Sequence, residues 1–222
     1  IRGISAGTRP GDPTTGPLTD RQSEYLGYIT VSTNALLALI NDILDLSKIE
    51  EGKMELEQID FPIHDLVDQV RQTLNYKAEE KGLHLITEID KSIPEIMVGD
   101  PNRLKQVLIN LAGNAIKFTE KGSVTIEVGS SQSAVGSPQW AVGSGQSTGG
   151  SHQSAARSIT FKVIDTGIGI PKDKLEAVFE SFSQAHVSDA RKFGGTGLGL
   201  SISKQLVELM GGAISIESEV GV

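Results

Sequence analysis

The feature that most constrains this chain is a long apolar stripe between Asp20 and about Glu51. Its residues recur at alternating spacings of three and four, which predicts one amphipathic helix, capped by Thr19 and ended by Gly52. The stripe consists of Leu26, Ile29, Leu36, Leu37, Ile40, Ile43 and Leu44, with Thr33 and Ser47 continuing the spacing. A solitary helix cannot bury so broad a face, so the sequence predicts a helical hairpin that dimerises.

Length and composition restrict the classes of protein to which this chain can belong. The 222 residues suit two modest domains. Hydrophobic residues make up 38%, and no apolar run approaches the roughly 20 residues of a membrane span, so we expect a soluble piece without membrane contact. A net charge of -8 disfavours nucleic-acid binding. The absence of cysteine excludes disulfides and fits a cytoplasmic location, with any membrane anchor lying in other parts of the parent protein.

After Gly52 the pattern changes from one long helix to short alternating elements, and we place a domain boundary near Met54. The interleaving predicts an α+β fold, an α/β sandwich in which hairpins dominate the strand pairing. Strands are predicted over 55–61, 83–89, 123–128, 159–164 and 213–217. Helices are predicted over 63–81, 101–118 and 198–210, with a short one from Pro171, and Asp100 is the expected cap of the second.

A seven-residue unit is repeated four times between Val128 and Ala155. Glycine and serine fill the unit, so it offers too few apolar residues for a coiled-coil seam. We interpret 130–157 as a flexible insertion at a hairpin tip, because surface loops accept length at little cost. A docking site around Trp140 is the alternative.

The first segment with chemical content is Asn110-Leu-Ala-Gly-Asn-Ala-Ile-Lys117. On a helix, Asn110, Asn114 and Lys117 share one face. Carboxamide oxygens suit magnesium, which also keeps waters and phosphate oxygens as ligands, and a lysine one turn on supplies a point charge for phosphate. A polar face that bonds to a loop is the alternative.

The second segment is Asp165-Thr-Gly-Ile-Gly169, directly after a predicted strand. Two glycines let the backbone turn tightly against a flat ligand. A buried carboxylate at Asp165 could accept a hydrogen bond from the exocyclic amine of adenine, which guanine lacks at that ring position. An ordinary turn also explains this pattern.

The third segment is Gly194-Gly-Thr-Gly-Leu-Gly199, which opens a predicted helix. Backbone amides of such a turn, aimed from a helix amino end, form an anion site without basic side chains. The Walker pattern is absent, and no strand precedes the turn as a dinucleotide fingerprint requires.

In this order and spacing, the three segments resemble the N, G1 and G2 boxes of sensor histidine kinases, whose catalytic domain has the Bergerat ATP-binding fold. Phe179-Glu-Ser-Phe182 is similar to the F box, and 41–50 to the end of the second dimerisation helix. The residues within these motifs are most similar to those of hybrid kinases. The resemblance implies a dimerisation and phosphotransfer segment over 1–53 and a catalytic domain over 54–222.

The resemblance also implies the ligands and their residues. Magnesium would be held by Asn114 with help from Asn110, and phosphate would be contacted by Lys117. Asp165 would read adenine, and Gly167 and Gly169 would shape the wall of the adenine pocket. The remaining ATP-binding residues would be Phe182, Gly195, Thr196, Gly197, Leu198 and Gly199, in or beside a lid over about 183–197 that closes on nucleotide.

The implied activity is transfer of the γ-phosphoryl group of Mg-ATP to a histidine of the dimerisation helix, then to an aspartate of a response-regulator receiver domain. We expect the accepting histidine about nine residues before Ile1, because 1–5 resembles the tail of its helix, and we expect the last strand of the sheet to continue past Val222. Related ATPases of the gyrase, chaperone and mismatch-repair kind place a glutamate base where this chain has Asn110, so transfer is favoured over hydrolysis. A pseudokinase or dimerisation scaffold is the non-enzymatic alternative.

Overall fold

The computed structural model describes residues 18–131, 158–180 and 197–220. The predictions for 1–17, for the repeats from 132 to 157, and for most of the lid lie outside these residues. Packing divides the chain into two compact units, Ile1–Asn41 and Asp42–Val222.

Helix α1 spans Asp20–Glu50, with the two ends that the sequence predicts. At the start, Thr19 and Gln22 form a reciprocal capping box: the Gln22 amide donates to Thr19 Oγ1 at 3.3 Å, and the Thr19 amide donates to Gln22 Oε1 at 2.9 Å. At the end, Gly52 adopts a left-handed φ of 64°. The amide of Lys53 then donates to the Lys48 carbonyl, as in a Schellman turn. Both predicted caps are confirmed.

No residue of α1 is buried. Its stripe lies in water, with Ile29 at 60% and Leu36 at 57% exposure. Within the described residues, α1 is also the helix that is long and apolar enough to cross a membrane. Uninterrupted apolar runs do not reveal this property, because scattered serine, threonine and asparagine residues interrupt the runs without making the helix polar on average.

The second unit begins within α1, and its described residues continue with two α-helices and five strands before the last helix. Strand β1 is Ile59–Pro62, helix α2 is Ile63–Glu80, strand β2 is His84–Ile89, and strand β3 is Ile96–Gly99. Helix α3 is Pro101–Phe118, strands β4 and β5 are Ser123–Ser131 and Ser158–Asp165, and helix α4 is Gly199–Leu209. Short 3-10 turns occupy Lys172–Lys174 and Ala177–Phe179.

The strands form two sheets. Antiparallel β1 and β3 make a pair, and the larger sheet has the order β2-β4-β5. Strand β4 runs parallel to β2 and antiparallel to β5. Helices α2 and α3 cover one face of the larger sheet, and its core includes Val70, Leu74, Leu108, Ile126 and Val128. The predicted α+β sandwich is therefore confirmed, whereas hairpins do not dominate, because β2 pairs in parallel after a crossover.

Several predicted bounds differ from the structure. Strand β1 begins at Ile59 rather than at residue 55, and the helix predicted from Pro171 is two 3-10 turns. Strand β4 continues through Ser131, which pairs with Ser158, so residues 130 and 131, predicted to lie in the flexible insertion, belong to the ladder. The repeated unit begins in sequence before the ladder ends, which explains this error.

The strand predicted over 213–217 is wrong. The alternation that suggested it is present, because Ile214 and Ile216 are half-buried and their neighbours are exposed. Nevertheless the segment has no regular secondary structure. Within the described residues, a bond of 2.8 Å from the Ile170 amide to Ser218 Oγ attaches it to the chain beyond β5. A strand requires a ladder of backbone bonds, and one side-chain bond does not make a ladder.

The unit boundary at residue 41 lies inside α1 because the last turns of α1 pack within the second unit. Leu46 and Ile49 contact a cluster built from α3 and α4. Asp45 Oδ2 also accepts bonds from Arg103 Nη1 at 3.0 Å and from Gln106 Nε2 at 2.9 Å. The compact units are thus a property of packing, and the domain ranges 1–53 and 54–222 stay a prediction.

Candidate functional site

Helix α3 carries the first candidate group and begins where the sequence predicts. Asp100 is buried, and its Oδ1 accepts hydrogen bonds from the amides of Asn102 at 3.0 Å and Arg103 at 2.9 Å. The second oxygen of Asp100 accepts from the Glu57 amide at 3.2 Å, which ties the helix start to the segment after α1. Pro101 occupies the first helical position, where its missing amide hydrogen costs nothing.

The three polar residues of this helix are all half-buried but differ in their partners. Asn110 Nδ2 donates to Ser203 Oγ of α4 at 2.8 Å. The side chain of Asn114 makes no hydrogen bond within the described part of the chain. Lys117 Nζ lies 4.7 Å from the centre of the Phe118 ring, and burial lowers the pKa of its ammonium group. Among the described residues, the Asn114 carboxamide is therefore available to a ligand at both of its polar atoms.

The amino end of α4 lies directly beside Asn110. A Cβ atom built on Gly199 would collide with the Asn110 carboxamide, 2.7 Å from Nδ2 and closer still to Oδ1. Gly197 has a φ of 70°, which favours glycine, and Leu198 is fully buried. The contact with Asn110 explains why a glycine stands at position 199. Of the other predicted residues in this segment, Phe182, Gly195 and Thr196 lie outside the described residues.

Asp165 ends strand β5. Its Oδ1 accepts a 2.9 Å bond from the Gly167 amide, and Oδ2 has no partner among the described residues. The sequence predicts a buried carboxylate, and this is wrong, since Asp165 is exposed. The side chain lies at the carboxyl end of the strand, and all of the predicted lid except Gly197 lies outside the described residues.

The loop after Asp165 is seated against the carboxyl end of α3. A Cβ on Gly167 would come within 2.8 Å of the Phe118 carbonyl and 3.1 Å of Thr119 Oγ1. The Ile168 amide donates to that same carbonyl at 3.4 Å. Gly169 has a φ of 70°, and a Cβ there would strike the Glu219 backbone. Tight backbone approach thus requires both glycines.

Helix α3 is therefore the element that the other two segments share. Its middle contacts α4 through Asn110, and its carboxyl end holds the glycine loop through Phe118 and Thr119. Sequence reasoning missed Ser203. A signal for it exists, because Ser203 follows Gly199 by four residues and is therefore a small polar residue on the same helix face.

The comparisons identify two families along the chain. The profile described as "Histidine kinase-, DNA gyrase B-, and HSP90-like ATPase" matches residues 99–222. The profile described as "His Kinase A (phospho-acceptor) domain" matches residues 1–52. The first covers more than half of the chain, and the second contains all of α1.

Among curated relatives, the signal transduction histidine-protein kinase BarA of Escherichia coli K12 is 42% identical over 202 residues, which are 91% of this chain and 20% of BarA. The hybrid signal transduction histidine kinase B of Dictyostelium discoideum is 42% identical over 222 residues, which are 100% of this chain and 10% of that kinase. This chain thus spans a fifth or less of the length of either relative.

A solved structure of full-length ShkA in complex with AMPPNP has a TM-score of 0.70 and 32% identity. The similarity covers 93% of this chain and 38% of ShkA. A histidine kinase AdeS from Acinetobacter baumannii has a TM-score of 0.63 at 19% identity, which shows a shared fold.

Proposed function

Since this chain belongs to the sensor histidine kinases and carries their HSP90-like ATPase domain, we propose that it is the kinase core of a two-component phosphorelay. It binds Mg-ATP and transfers the γ-phosphoryl group to a histidine of a dimerisation helix. The bond between the γ-phosphorus and the bridging oxygen breaks, an N–P bond forms at the imidazole, and ADP leaves. The phosphoryl group then passes to an aspartate of a receiver domain, as expected for a relative of hybrid kinases.

The observation that carries this proposal is the shared contact of α3 with both glycine segments. Asn110 abuts Gly199 at the start of α4, and Phe118 abuts Gly167 in the loop after Asp165. A nucleotide lying along α3 would have its phosphates near the amino end of α4 and its base near Asp165. A helix amino end with a glycine turn is a suitable place for phosphate oxygens.

We expect adenine to be recognised by Oδ2 of Asp165, which has no partner among the described residues. Its Oδ1 is occupied by the Gly167 amide, which fixes the carboxylate plane. The remaining oxygen can accept one hydrogen bond from an exocyclic amine, whereas the carbonyl of guanine would face it with a lone pair. The relative ShkA binds the ATP analogue AMPPNP, which agrees with this choice of base.

Magnesium fits the residues that are present. Among the described residues, no group of three histidine, cysteine, aspartate or glutamate side chains could hold a metal ion without help. The carboxamide of Asn114, which has no hydrogen-bond partner among the described residues, offers one oxygen. Magnesium keeps several waters and bridges phosphates, so one or two amide oxygens from Asn114 and Asn110 suffice beside the triphosphate. When bound, the ion neutralises charge on the phosphates.

Transfer is favoured over hydrolysis by the chemistry of position 110. A carboxamide does not take up a proton at neutral pH, so Asn110 cannot activate a water molecule as a general base. Its nitrogen is also engaged with Ser203. The acceptor is therefore a nucleophile brought to the site by another segment.

The test is calorimetry of ATP and GTP binding with and without magnesium. Asn114→Ala should abolish the magnesium-dependent part of ATP affinity, and Asp165→Asn should weaken ATP more than GTP. Gly113→Ala is the matched control on the same helix, because nothing lies within 4 Å of its added Cβ. Unchanged ATP affinity in Asn114→Ala, at an unchanged melting temperature, would contradict the magnesium assignment. Absence of ATP binding by the unsubstituted chain would favour the pseudokinase or scaffold.

Dimerisation through a helical hairpin is proposed for the exposed face of α1. Leu36, Ile40 and Ile43 are each more than 40% exposed, and α1 lies within the segment that matches the His Kinase A family. An amphipathic face of this kind is buried when helices form a bundle. Sedimentation should give a dimer, and Leu36→Glu should shift it to monomer. Ala38→Glu adds the same charge on the opposite face of the same helix, where Ala38 is exposed, and should leave the dimer intact.

The location that we propose for this part of the protein is the cytoplasm, where ATP and receiver domains are available. The exposed stripe of α1 is then covered by a second helical hairpin and not by lipid. Flotation with lipid vesicles tests this: the dimer should stay in the aqueous fraction, and recovery with vesicles would favour a membrane-inserted α1.

A further inference from the structure

Lys81 binds the carboxyl end of α3 from a neighbouring helix. Its ammonium nitrogen donates to the carbonyl oxygen of Lys117 at 2.6 Å, to that of Ile116 at 2.8 Å and to that of Thr119 at 3.3 Å. Three backbone acceptors from one short segment match in number the three donors of a lysine ammonium group. Neither the sequence patterns nor the predicted nucleotide residues account for this contact.

The end of α2 places Lys81 there. Gly82 adopts a left-handed φ of 67°, and its amide donates to the Glu79 carbonyl at 2.9 Å. The Leu83 amide donates to the Ala78 carbonyl at 2.9 Å, and the Leu83 side chain is buried. This Schellman turn makes Lys81 the last residue before the chain reverses, beside the end of α3.

Lys81 completes the hydrogen bonding of the last four carbonyls of α3, which have no partner inside the helix. The carbonyl of Ala115 accepts from the amide and hydroxyl of Thr119. The carbonyl of Phe118 accepts from the Ile168 amide. The two carbonyls between these belong to Ile116 and Lys117, and Lys81 binds both. The ends of α2 and α3 both carry partial negative charge, and a cation between them is favourable.

The same turn of α3 supports the site. Phe118 and Thr119 seat the Gly167 backbone, and Lys117 is the residue proposed to contact phosphate. We propose that Lys81 is a positioning residue for nucleotide binding, because its ammonium group holds residues 116–119 where they seat the glycine loop after Asp165. This inference rests on the proposed function of the chain as an ATP-binding kinase core.

The test compares variants of the full chain by ATP calorimetry, at a temperature well below each melting point. Lys81→Met keeps the apolar stem and removes the donors, and its Kd for Mg-ATP should rise about fivefold or more. Lys81→Arg keeps charge and donors and should recover most of the affinity. Lys77→Met is the control: Lys77 is exposed, also lies near the end of α2 and has no polar partner within the described residues. Its Kd should stay within about twofold.

A role limited to capping the helix predicts a different result. Lys81→Met would then melt earlier and bind ATP with the unsubstituted Kd, and this outcome overturns the inference. Failure of the unsubstituted chain to bind ATP would overturn the proposed function itself and would be seen before any variant is made.

A second measurement decides the matter if Lys81→Met does not fold. Coupling between two sites is reciprocal. If nucleotide binding depends on the hydrogen bonds from Lys81 to the end of α3, bound nucleotide must also stabilise those hydrogen bonds. Saturating Mg-ATP should slow reductive methylation of Lys81 in the unsubstituted chain by about threefold or more, and leave the rate at Lys77 unchanged. Equal rates at Lys81 with and without nucleotide would contradict the inference.

Discussion

The Asn110 carboxamide donates a 2.8 Å hydrogen bond to the Ser203 hydroxyl and thereby joins α3 to α4. Ser203 is almost fully buried, at 1% exposure. The bond fixes the orientation of the amide against Gly199, so a residue predicted to help with the metal also anchors the helix at whose amino end phosphate is expected.

Replacing Ser203 by alanine should destabilise the fold. The Asn110 amide nitrogen would lose its partner in a half-buried position, which costs about 1–3 kcal/mol. Urea denaturation measures the loss. Ser32→Ala on the exposed surface of α1 is the control for serine-to-alanine exchange within a helix, and equal stabilities of the two variants would show that the bond contributes nothing.

Gly113 of α3 and Gly199 of α4 should respond oppositely to alanine. At Gly199 the added methyl group meets the Asn110 carboxamide, so stability and ATP affinity should both fall. At Gly113 the methyl group meets nothing within 4 Å, and the helix should gain about 0.5–1 kcal/mol. Thermal melts and calorimetry of both variants test the contrast. A Gly199→Ala variant as stable as Gly113→Ala would contradict the close approach.

ATP binding should take up a proton at alkaline pH through Lys117. Burial lowers the pKa of its ammonium group, so the charged form is disfavoured in the folded chain. The resulting cost to folding is fully present below the lowered pKa. It is lost as the pH rises from the lowered pKa to the ordinary lysine pKa, so the free energy of unfolding increases over that interval. A phosphate beside Lys117 raises the pKa again, and affinity should fall as the pH rises across the same window.

The measurement is calorimetry of Mg-ATP binding in two buffers that differ in ionisation enthalpy. Proton uptake is expected in the alkaline window and none is expected from this group at neutral pH. Lys117→Arg, which stays protonated, should bind ATP without that uptake. Identical uptake by the arginine variant would assign the proton to another group.

Replacing residues 132–157 by a short Gly-Asn turn should leave ATP affinity unchanged. Ser131 and Ser158 are paired at the last position of the β4–β5 ladder, so a two-residue turn can close the hairpin there. The melting temperature should move by only about 2–4 °C, the equivalent of about 1 kcal/mol. A much larger loss would show that the repeats pack, and a lost binding partner would support the docking site around Trp140.

The polypeptide of residues 1–222 should bind Mg-ATP without phosphorylating itself. Its histidines are His64, His84, His152 and His186, and none lies on α1. His64 and His84 are exposed on α2 and β2, and the other two lie outside the described residues. Incorporation of label from γ-phosphate in acid-labile, alkali-stable form is the measurement. Label on any of these four histidines would refute the prediction.

Local signals in the sequence determined much of the molecule. Composition and spacing also single out the three segments of candidate site residues, whose roles stay a prediction. Asp100 and Pro101 set the start of α3, and Thr19 and Gly52 set the ends of α1. These predictions succeed because caps and helical periodicity depend on residues within a few positions of one another. The family resemblance added the assignment of roles.

Only the tertiary structure decided the long-range pairings. Strand β3 has four residues and little periodicity, and it exists because β1 lies beside it. Three further contacts join residues far apart in sequence: the parallel ladder of β2 and β4, the bond between Asn110 and Ser203, and the bonds from Lys81 to the end of α3. Segment 213–217 forms no ladder despite its alternating pattern. A hydrogen bond between distant residues depends on how helices and strands pack, and spacing along the chain carries no direct record of that packing.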